Sequence, residues 1–534
     1  MKVLFVKPRL DSTTLGGLDY SLCEPLEFES LAAALPDHDV EILDLRFDPR
    51  LEERVRRFRP DVVGTTSMSV NVYAAREILA RVKGIDPSIT TLVGGYHPTV
   101  APEDFAEPYV DAVALGQAVD TIRDVMRAIE KRAPLRSVPG LALPAGRGVV
   151  ERTPPRSKVF DLDAQPIPNR RLNPEHRRHY FCEYWQPAAI MRASIGCHGR
   201  CNFCALWDLT DGKYLVHSVR RVADEIESIP EKYIFFIDDN FIPPGHDDRI
   251  ERLRREIAER NLKKEYYFST RADGIARNPG IVERWVEVGL RRMFFGLESH
   301  DDERLRGLNK GIPADLNRRA VEICRANGVD VTGCFIINPD FTRDDFLRVY
   351  EYATSLRLNV IAYLVLTPHP GTVLHAMRRH EITSRNYGWW DHLHAVLPTA
   401  LPERDFYDEY ARLWMRTYTP ATWDGAKRLV RLLSKATWAQ RKFLLAKAAT
   451  VFPKIALGAV GSRPHAYANW LEWAGSRRRQ NGAAVSAAPE VPVLPSLEPA
   501  SLSFVPESAL EPRKARLVSK GRRLDRRRAV SETS

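Results

Sequence analysis

The sequence predicts an α/β protein with two successive series of strands and helices. Short apolar segments rich in β-branched residues alternate with segments of helical periodicity in both series, and prolines are dense between Pro134 and Pro174. Strands that alternate with helices form parallel sheets. We therefore expect a doubly wound, Rossmann-like domain over residues 1–135, a linker over 136–185 and a second α/β domain over 186–375.

The first domain is expected to bind a ligand at the carboxyl ends of its strands. Its predicted strands are KVLFV, DVEILDL, DVVGTTS, TTLVGGY and DAVALGQ. Ligands of doubly wound sheets lie at these ends, where the chain here is small and polar. A glycine without a Cβ lets the backbone approach a flat ligand closely. The candidate binding residues are Ser67, Gly94, Gly95 and Thr99.

The second domain is predicted to be a partial (β/α)6 barrel of the TIM type. Its six strands are AAIMRASIG, YIFFIDDNF, EYYFSTRAD, RRMFFGLES, VTGCFIINPD and VIAYLVLTPHP. Functional residues of such barrels lie at the carboxyl ends of the strands. A helical region rich in tryptophan is expected over residues 376–474, and a disordered basic tail over 475–534.

Composition limits the function classes. The chain has 534 residues, of which 44% are hydrophobic, enough for sizeable cores. No apolar run long enough to span a bilayer and no cleavable signal is visible, which predicts a cytoplasmic protein. The basic tail could contact anionic lipid or nucleic acid or be merely solvated, but no nucleic-acid-reading module is visible, so nucleic acid is not an expected partner.

Three of the seven cysteines lie within eight residues, as Cys197, Cys201 and Cys204 in a C-x₃-C-x₂-C spacing. An odd number of cysteines, thinly spread elsewhere, argues against a disulfide framework. Thiolates bind iron–sulfur clusters, normally four per [4Fe–4S], so three leave one iron open to a small molecule. The alternative is a zinc site completed by His198 or a distant residue, although zinc sites usually use two paired motifs.

The cysteine spacing and the barrel around it resemble the radical S-adenosylmethionine family over about residues 185–375. The resemblance implies that the open iron binds the amino and carboxylate groups of S-adenosylmethionine. An electron from an external donor then passes through the cluster, cleaves a C–S bond and yields a 5′-deoxyadenosyl radical. Such a radical requires a water-poor pocket. Phe203, Trp207 and Tyr363 are candidates to line that pocket, or else members of the core.

Further positions of that family fall at predicted strand ends. The resemblance implies that Asp238 and Asp239 contact the methionyl amine, that Arg271 holds the carboxylate, and that Glu298 accepts from the ribose hydroxyls. Each residue also has a structural alternative. The two aspartates could cap a helix, and Arg271 could pair with Glu298.

A doubly wound domain ahead of the cluster domain resembles the cobalamin-binding class of this family. The segment Gly94–Thr99, GGYHPT, is typical of that class and implies cobalamin as a cofactor. The chain departs from the class in two places. The loop at residues 7–17 lacks the histidine of D-x-H-x-x-G, and Gly116-Gln117-Ala118 replaces the usual Gly-Glu-Gly-Glu. His97 is either a cobalt ligand or a hydrogen-bonding residue at the rim.

Over roughly residues 1–420 the chain resembles the hopanoid C-3 methylases. The segments that carry this resemblance are CALW (204–207), YIFFIDD (233–239), IARNP (275–279), LTPHPGT (366–372), LPTALP (397–402) and FYDEY (406–410). It implies methylation of an unactivated carbon of an apolar polycyclic lipid. One S-adenosylmethionine would methylate the cobalamin, and a second would generate the radical that removes the substrate hydrogen.

Residues 424–454 fit a lipid substrate, because basic residues there alternate with leucine, tryptophan and phenylalanine. A basic amphipathic helix with tryptophan can lie on an anionic membrane surface, here the inner membrane. The alternative is a helix that packs on the barrel and exposes a solvated basic face.

Two other functions stay open. The chain could cyclise or rearrange a natural product or tetrapyrrole without net methylation. It could also be a non-catalytic sensor or tether that uses the cluster and cobalamin as ligands.

Overall fold

The computed structural model describes residues 1–9, 21–418, 423–435, 437–438 and 440–442. The expected basic tail at 475–534, the end of the expected helical region and most of the loop at 7–17 lie outside these residues. No helix in the described part of the chain is both long enough and apolar enough to cross a bilayer.

The N-terminal domain is a seven-stranded mixed sheet with helices on both faces. Its first five strands are parallel, in the order β3-β1-β4-β5-β6, followed by the antiparallel β7 and β8. The strands of residues 1–152 are β1 Lys2–Lys7, β2 Ser21–Leu22, β3 Asp39–Asp44, β4 Val62–Thr66, β5 Thr90–Gly94, β6 Ala112–Ala114, β7 Leu141–Gly146 and β8 Val149–Arg152. The helices are α1 Leu26–Ala33, α2 Leu51–Phe58, α3 Val72–Ile85, α4 Tyr96–Val100 and α5 Val119–Glu130.

Strand β1 lies between β3 and β4, second from one edge of this sheet, and is buried on both faces. Its residues Val3 to Val6 have almost no solvent exposure, as expected for a parallel strand covered by helices on both sides. The strand order reverses around β1, which pairs with β3 on one side and β4 on the other. The crevice at such a reversal is where doubly wound sheets bind ligands, and it places the loop after β4 at that point.

The sheet continues beyond the expected end of the domain at residue 135. The hairpin of β7 and β8 pairs with β6 and extends the sheet to Arg152, inside the segment that the prolines suggested was a linker. Such a hairpin covers the hydrogen-bonding edge that β6 would otherwise expose.

The second domain is a curled sheet of six parallel strands in sequential order, which confirms the predicted partial (β/α)6 barrel. The remaining strands are β9 Phe181–Cys182, β10 Ala188–Met191, β11 Ser194–Ile195, β12 Leu215–Val216, β13 Tyr233–Phe236, β14 Glu265–Thr270, β15 Leu290–Glu298, β16 Asp330–Ile337 and β17 Val360–Val365. The helices are α6 Leu206–Thr210, α7 Val219–Ser228, α8 Asp247–Glu259, α9 Ala272–Arg277, α10 Gly280–Glu287, α11 Asp302–Gly307, α12 Ala314–Ala326, α13 Arg343–Ser355, α14 Val373–Arg378, α15 Glu403–Tyr418 and α16 Trp423–Lys435.

The two faces of the barrel sheet differ in burial. Outward residues such as Ile234, Phe236 and Phe268 are fully buried under the helices. Inward residues such as Phe235 and Phe294 remain partly exposed. Because successive side chains of a strand point to opposite faces, the main core lies between sheet and helices, and the barrel interior is open.

Helix α15 packs on α13 and on the last strand of the barrel, β17. The Tyr410 hydroxyl donates to the Tyr363 carbonyl oxygen at 2.7 Å, and the rings of Tyr363 and Trp414 meet edge to face. Tyr363 is fully buried there. Of the two alternatives for Tyr363, it is therefore a core residue beneath α15, because its side chain points out of the barrel.

Candidate active site

The three clustered cysteines lie on one loop that a short ribbon closes at its base. Strand β11 pairs antiparallel with β12, so the chain between them forms a loop of its own beside the barrel. Gly196 begins this loop with a φ of 107°, and a Cβ built there would lie 2.0 Å from the Lys213 carbonyl oxygen. Only glycine fits this position, so the turn into the cysteine loop depends on it.

Asp238 and Asp239, which follow β13, hold the base of the cysteine loop. Asp238 is 1% exposed and accepts hydrogen bonds from the Ala193 amide at 3.1 Å and from the Ser194 hydroxyl. Burial raises its pKa to about 6. Asp239 accepts from the Gly196 amide at 2.9 Å. Asp238 is thus occupied in positioning the loop, and contact with S-adenosylmethionine stays a prediction for both residues.

Cationic side chains lie against the cysteines. The Arg271 guanidinium is 3.8 Å from the Cys201 sulfur and donates to the Lys310 carbonyl oxygen at 2.8 Å. Burial raises the pKa of the Cys197 thiol, and Arg271 and Lys310 oppose that rise. The protein atoms packed around Cys204 also raise its pKa, to about 11, although the residue is partly open to solvent. Positive charge beside sulfur stabilises thiolates, so the loop suits a cluster that each cysteine thiolate binds as a terminal ligand.

Glu298 and Lys310 form a buried ion pair beside Arg271. The Lys310 ammonium donates to a Glu298 carboxylate oxygen at 2.9 Å, and each side chain is less than 10% exposed. Burial lowers the pKa of Lys310, but Glu298 outweighs this and keeps the pKa raised overall. Glu298 has a φ of 61°, a left-handed conformation that few side chains adopt. Arg271 therefore does not pair with Glu298; Lys310 does.

Asn240 joins the cysteine loop to the next strand end. Its side-chain oxygen accepts from the Thr270 hydroxyl at 2.7 Å and from the Arg271 amide at 3.0 Å. Its amide nitrogen lies 3.4 Å from His198, whose other ring nitrogen is 3.3 Å from Asp273. His198 thus has both nitrogens engaged. In the described ranges no three His, Cys, Asp or Glu side chains converge on a single ion, whereas a cluster binds each thiolate through a different iron.

The predicted ligand residues of the N-terminal domain meet at the carboxyl ends of β4 and β5. Gly95 has a φ of 104°, and a Cβ there would lie 2.6 Å from the Thr66 hydroxyl. The Ser67 amide donates to the Gly94 carbonyl oxygen at 2.9 Å. The Thr99 hydroxyl donates to the Gly95 carbonyl oxygen at 2.7 Å and accepts from the Gly116 amide. These hydrogen bonds fix the backbone along one edge, formed by Ser67, Gly94, Gly95 and Thr99 at the carboxyl ends of β4 and β5.

Space for a flat cofactor lies along this edge. Gly116 is exposed, and a Cβ there would meet no atom within 4 Å. Met68, in the loop after β4, is 55% exposed. Exposed, small and apolar groups at a strand-order reversal fit a large planar ligand, so the residues present are compatible with cobalamin.

His97 is fully buried, so it is a hydrogen-bonding residue and not a cobalt ligand. Its ring nitrogens contact the Ser69 hydroxyl at 3.0 Å and the Asp104 carboxylate at 2.8 Å. The Ser69 hydroxyl also lies 3.2 Å from His369, which lies 3.2 Å from His392. One hydrogen-bonded chain thus runs from the N-terminal domain to the loop that closes the barrel.

The two domains bring their candidate sites together. Tyr96 lies beside the Gly95 edge, and its hydroxyl donates to the Pro370 carbonyl oxygen at 2.6 Å. Burial raises the pKa of Tyr96, and the nearby Cys204 raises it further. The cobalamin edge and the cysteine loop therefore border the same region.

The interior of the barrel forms an apolar chamber beneath the cysteine loop. Its cavity measures about 280 Å³. The lining residues are Ser21, Cys182, Phe235, Ile237, Tyr267, Ser269 and Phe294. None of them is charged, and the same strands carry Asp239, Arg271 and Glu298 at their carboxyl ends. The chamber is therefore an apolar space with a charged rim.

Sequence reasoning missed Lys310, Asn240, His369 and His392 as members of this region. Asn240 followed the two predicted aspartates directly, and His369 lay in a motif already singled out. Lys310 and His392 stand in loops without any pattern around them. Only the fold brings those two to the site.

Two families match this chain. The B12 binding domain family matches residues 14–126, and the Radical SAM superfamily matches residues 191–353. The first range lies within the doubly wound sheet, and the second covers most of the partial barrel.

Relatives of known function extend across most of the chain. The hopanoid C-3 methylase of Methylococcus capsulatus is 30% identical over 420 residues, which cover 77% of this chain and 79% of the relative. The anaerobic magnesium-protoporphyrin IX monomethyl ester cyclase of Rubrivivax gelatinosus is 26% identical over 391 residues, 69% of this chain and 68% of the relative.

Two solved structures share the fold. The cobalamin-dependent S-adenosylmethionine radical enzyme OxsB, with aqua-cobalamin and S-adenosylmethionine bound, covers 89% of this chain and 75% of its own, with a TM-score of 0.64 and 16% identity. The radical methyltransferase TsrM of Kitasatospora setae, with cobalamin and a [4Fe–4S] cluster bound, covers 70% of this chain and 76% of its own, with a TM-score of 0.57 and 19% identity.

The cysteine loop, the cobalamin edge and these matches agree. The cofactors of this protein are a [4Fe–4S] cluster, S-adenosylmethionine and cobalamin. The chain belongs to the cobalamin-dependent radical S-adenosylmethionine enzymes, in their methyltransferase class.

Proposed function

We propose that this enzyme methylates an unactivated carbon of an apolar polycyclic substrate, and that the substrate is a hopanoid attacked at C-3. The observation that carries this proposal is the uncharged chamber of the barrel, whose strands carry Asp239, Arg271 and Glu298 at their carboxyl ends. Aromatic and aliphatic walls recognise a ring system by excluding water. The identity to a hopanoid C-3 methylase supports the particular substrate.

The residues at the rim would bind different parts of the cluster and of S-adenosylmethionine. Cys197, Cys201 and Cys204 would hold the cluster, which supplies the reducing electron and an open iron. Arg271 offsets the negative charge of the thiolates and offers its guanidinium to a carboxylate. Asp239 and Glu298 offer carboxylates, suited to the amine and the ribose hydroxyls of S-adenosylmethionine.

The N-terminal domain would hold cobalamin along the edge built by Ser67, Gly94, Gly95 and Thr99. Cobalamin supplies the methyl group for transfer. The hydrogen bonds of Thr99 to Gly95 and Gly116 fix the two loops that would flank it. Tyr96 then ties this edge to the barrel, so that the cobalamin face and the substrate chamber keep a constant distance.

Helix α16 offers a surface for lipid at the amino-terminal end of the barrel strands. Arg428 donates to the Leu358 carbonyl oxygen at 2.9 Å, which anchors one side of the helix. The outer side exposes Trp423 by 74% and Val430 by 66%. The Lys427 ammonium lies 4.6 Å from the Trp423 ring centre. Exposed tryptophan with lysine is suited to an anionic bilayer surface, where a hopanoid would be found.

The test uses protein purified without oxygen, reconstituted with iron and sulfide, and loaded with hydroxocobalamin. We expect four irons and one cobalt per chain, and a hopanoid product heavier by one methyl group. The Cys201→Ala variant should lose iron but keep cobalt, and Cys324→Ala, a buried cysteine far from the loop, should keep both. Substrate consumed without a gain of one methyl would favour the cyclisation alternative, and zinc in place of iron would refute the proposal.

A further inference from the structure

A two-stranded ribbon forms the floor of the barrel chamber. Strand β2 pairs antiparallel with β9, with Ser21 opposite Cys182. Both side chains line the chamber. Cys182 is 2% exposed, and burial raises the pKa of its thiol, so the thiol is a neutral wall of the cavity. The floor thus comes from the N-terminal segment and the interdomain segment rather than from the barrel strands.

A buried polar cluster seals the barrel below this ribbon. Glu183 follows Cys182, forms an ion pair with Arg292, and accepts from the Tyr267 hydroxyl at 2.8 Å and the Thr332 hydroxyl at 2.7 Å. The Arg292 guanidinium lies 4.1 Å from the Tyr184 ring centre. A buried ion pair of this kind is rigid because breaking it leaves a buried charge unpaired. The ribbon therefore packs on a rigid base.

The distance from floor to rim is fixed by one strand. Tyr267 lines the lower chamber, and Arg271 stands at the rim four residues later, directly after β14. At about 3.3 Å per residue this separation is about 13 Å. A fused ring system is rigid and cannot fold to use a shorter space. When one end rests on the floor, the carbon that lies at the rim is set by its distance from that end.

We propose that Cys182 and Ser21 act as a depth stop for the ring system of the substrate and so determine which carbon is methylated. This inference rests on the proposed function and adds the residues that set its regiochemistry. The thiol and hydroxyl contribute volume and perform no chemical step.

The first test makes the chamber shallower by placing a larger side chain in its floor, with Cys182→Phe and Ser21→Phe. Cys182→Ser is the control, because serine keeps the side-chain volume close to that of cysteine. With a hopanoid hydrocarbon such as diploptene, we expect either phenylalanine variant to lower methylation at the wild-type carbon by about tenfold or more, because overpacking excludes the bound pose. Formation of 5′-deoxyadenosine should continue. The Ser control should match the wild type.

Product position is the decisive measurement. A phenylalanine variant with full iron and cobalt content that methylates the wild-type carbon with unchanged KM would overturn the inference. A shift of the methyl group to another ring carbon would support it. If Cys182→Phe fails to fold, as judged by its metal content, Ser21→Phe alone decides, since Ser21 is less buried than Cys182.

A binding measurement separates failure of this inference from failure of the proposed function. Dehydroergosterol, a fluorescent rigid tetracycle, is titrated against the cofactor-loaded protein. Wild type should bind it, and the phenylalanine variants should bind it about tenfold more weakly. Absence of hopanoid methylation by wild type would refute the proposed function alone. Equal binding of the probe by wild type and variants, or no binding by wild type, would refute the depth stop.

Discussion

The Tyr96 hydroxyl donates a hydrogen bond to the Pro370 carbonyl oxygen at 2.6 Å across the boundary of the two domains. The next residue, Gly371, has a φ of 81°, and a Cβ there would lie 2.6 Å from a methyl group of Val100. The carboxyl ends of the two sheets thus meet without space between these loops. Methyl transfer requires a fixed distance between cobalamin and substrate, and this contact provides one.

Replacing Tyr96 with Phe should uncouple radical formation from methyl transfer. The variant loses one hydrogen bond at a partly buried site, a stability cost of about 1 kcal/mol. The ratio of methylated product to 5′-deoxyadenosine should fall several-fold, because radical formation depends on the barrel alone. Tyr352→Phe is the matched control, since its hydroxyl donates to the Ala314 carbonyl oxygen at 3.0 Å away from the site. Equal ratios in both variants would contradict this role.

The cluster loop was predictable from sequence, whereas its supports were not. Three cysteines at fixed spacing after a strand indicate a cluster wherever the fold places them. Asp238 was also visible, yet its engagement by Ala193 and Ser194 depends on the break in the first barrel strand after Met191. The sequence showed one continuous apolar segment there. A strand break that depends on tertiary pairing with β12 leaves no local signal.

Glu298 and Lys310 should show strong coupling in a double-mutant cycle. Lys310→Met leaves a buried carboxylate unpaired and should cost about 3 kcal/mol in free energy of unfolding, with a similar cost for Glu298→Gln. The double variant should be more stable than the sum of both losses predicts. Chemical denaturation measures this. Additive losses would show that the pair is not coupled, and Arg343 with Asp405, an exposed pair at 2.8 Å, provides a control expected to show little coupling.

The ion pair with Lys310 is a contact of Glu298 that the sequence did not predict. Strand β15 ends in Gly296-Leu-Glu298, and that pattern marked Glu298 from sequence. Lys310 follows α11 in a turn without periodicity. It lies near Glu298 and Cys201 only because the chain folds back toward the cysteine loop. Residues that reach a site through an irregular loop are recognised by geometry, which the sequence does not contain.

Acid should weaken the chain of histidines between the domains. Burial holds the pKa of His369 well below its ordinary value, and His392, His97 and His375 face it and lower it further. The unfolded chain takes up protons below about pH 6.5, whereas the folded protein resists them. The contribution of His369 to stability should therefore be constant above about pH 7.5 and fall by up to about 1.4 kcal/mol per pH unit as the pH drops below 6.5.

The pH dependence can be assigned to His369 by substitution. Melting temperatures of wild type, His369→Gln and His380→Gln are compared from pH 5.5 to 8. His380 is an exposed histidine, 75% accessible, so its variant should keep the wild-type slope. His369→Gln should be less stable at pH 8 and show a shallower decline in acid. A slope unchanged by His369→Gln would place the acid sensitivity elsewhere.

The exposed tryptophans of the C-terminal helices should bind anionic bilayers. Trp423 is 74% and Trp438 is 70% exposed, and Lys427 and Lys442 lie over their rings. Indole rings that are exposed among the described residues gain free energy by entering the bilayer interface, whereas a merely solvated basic face gains none. Co-sedimentation with phosphatidylglycerol vesicles should fall several-fold for Trp423→Ala with Trp438→Ala, and high salt should weaken the wild type. Trp389→Ala, at 39% exposure, should bind as the wild type does. Equal sedimentation of all three proteins would show that these rings do not contribute to membrane binding.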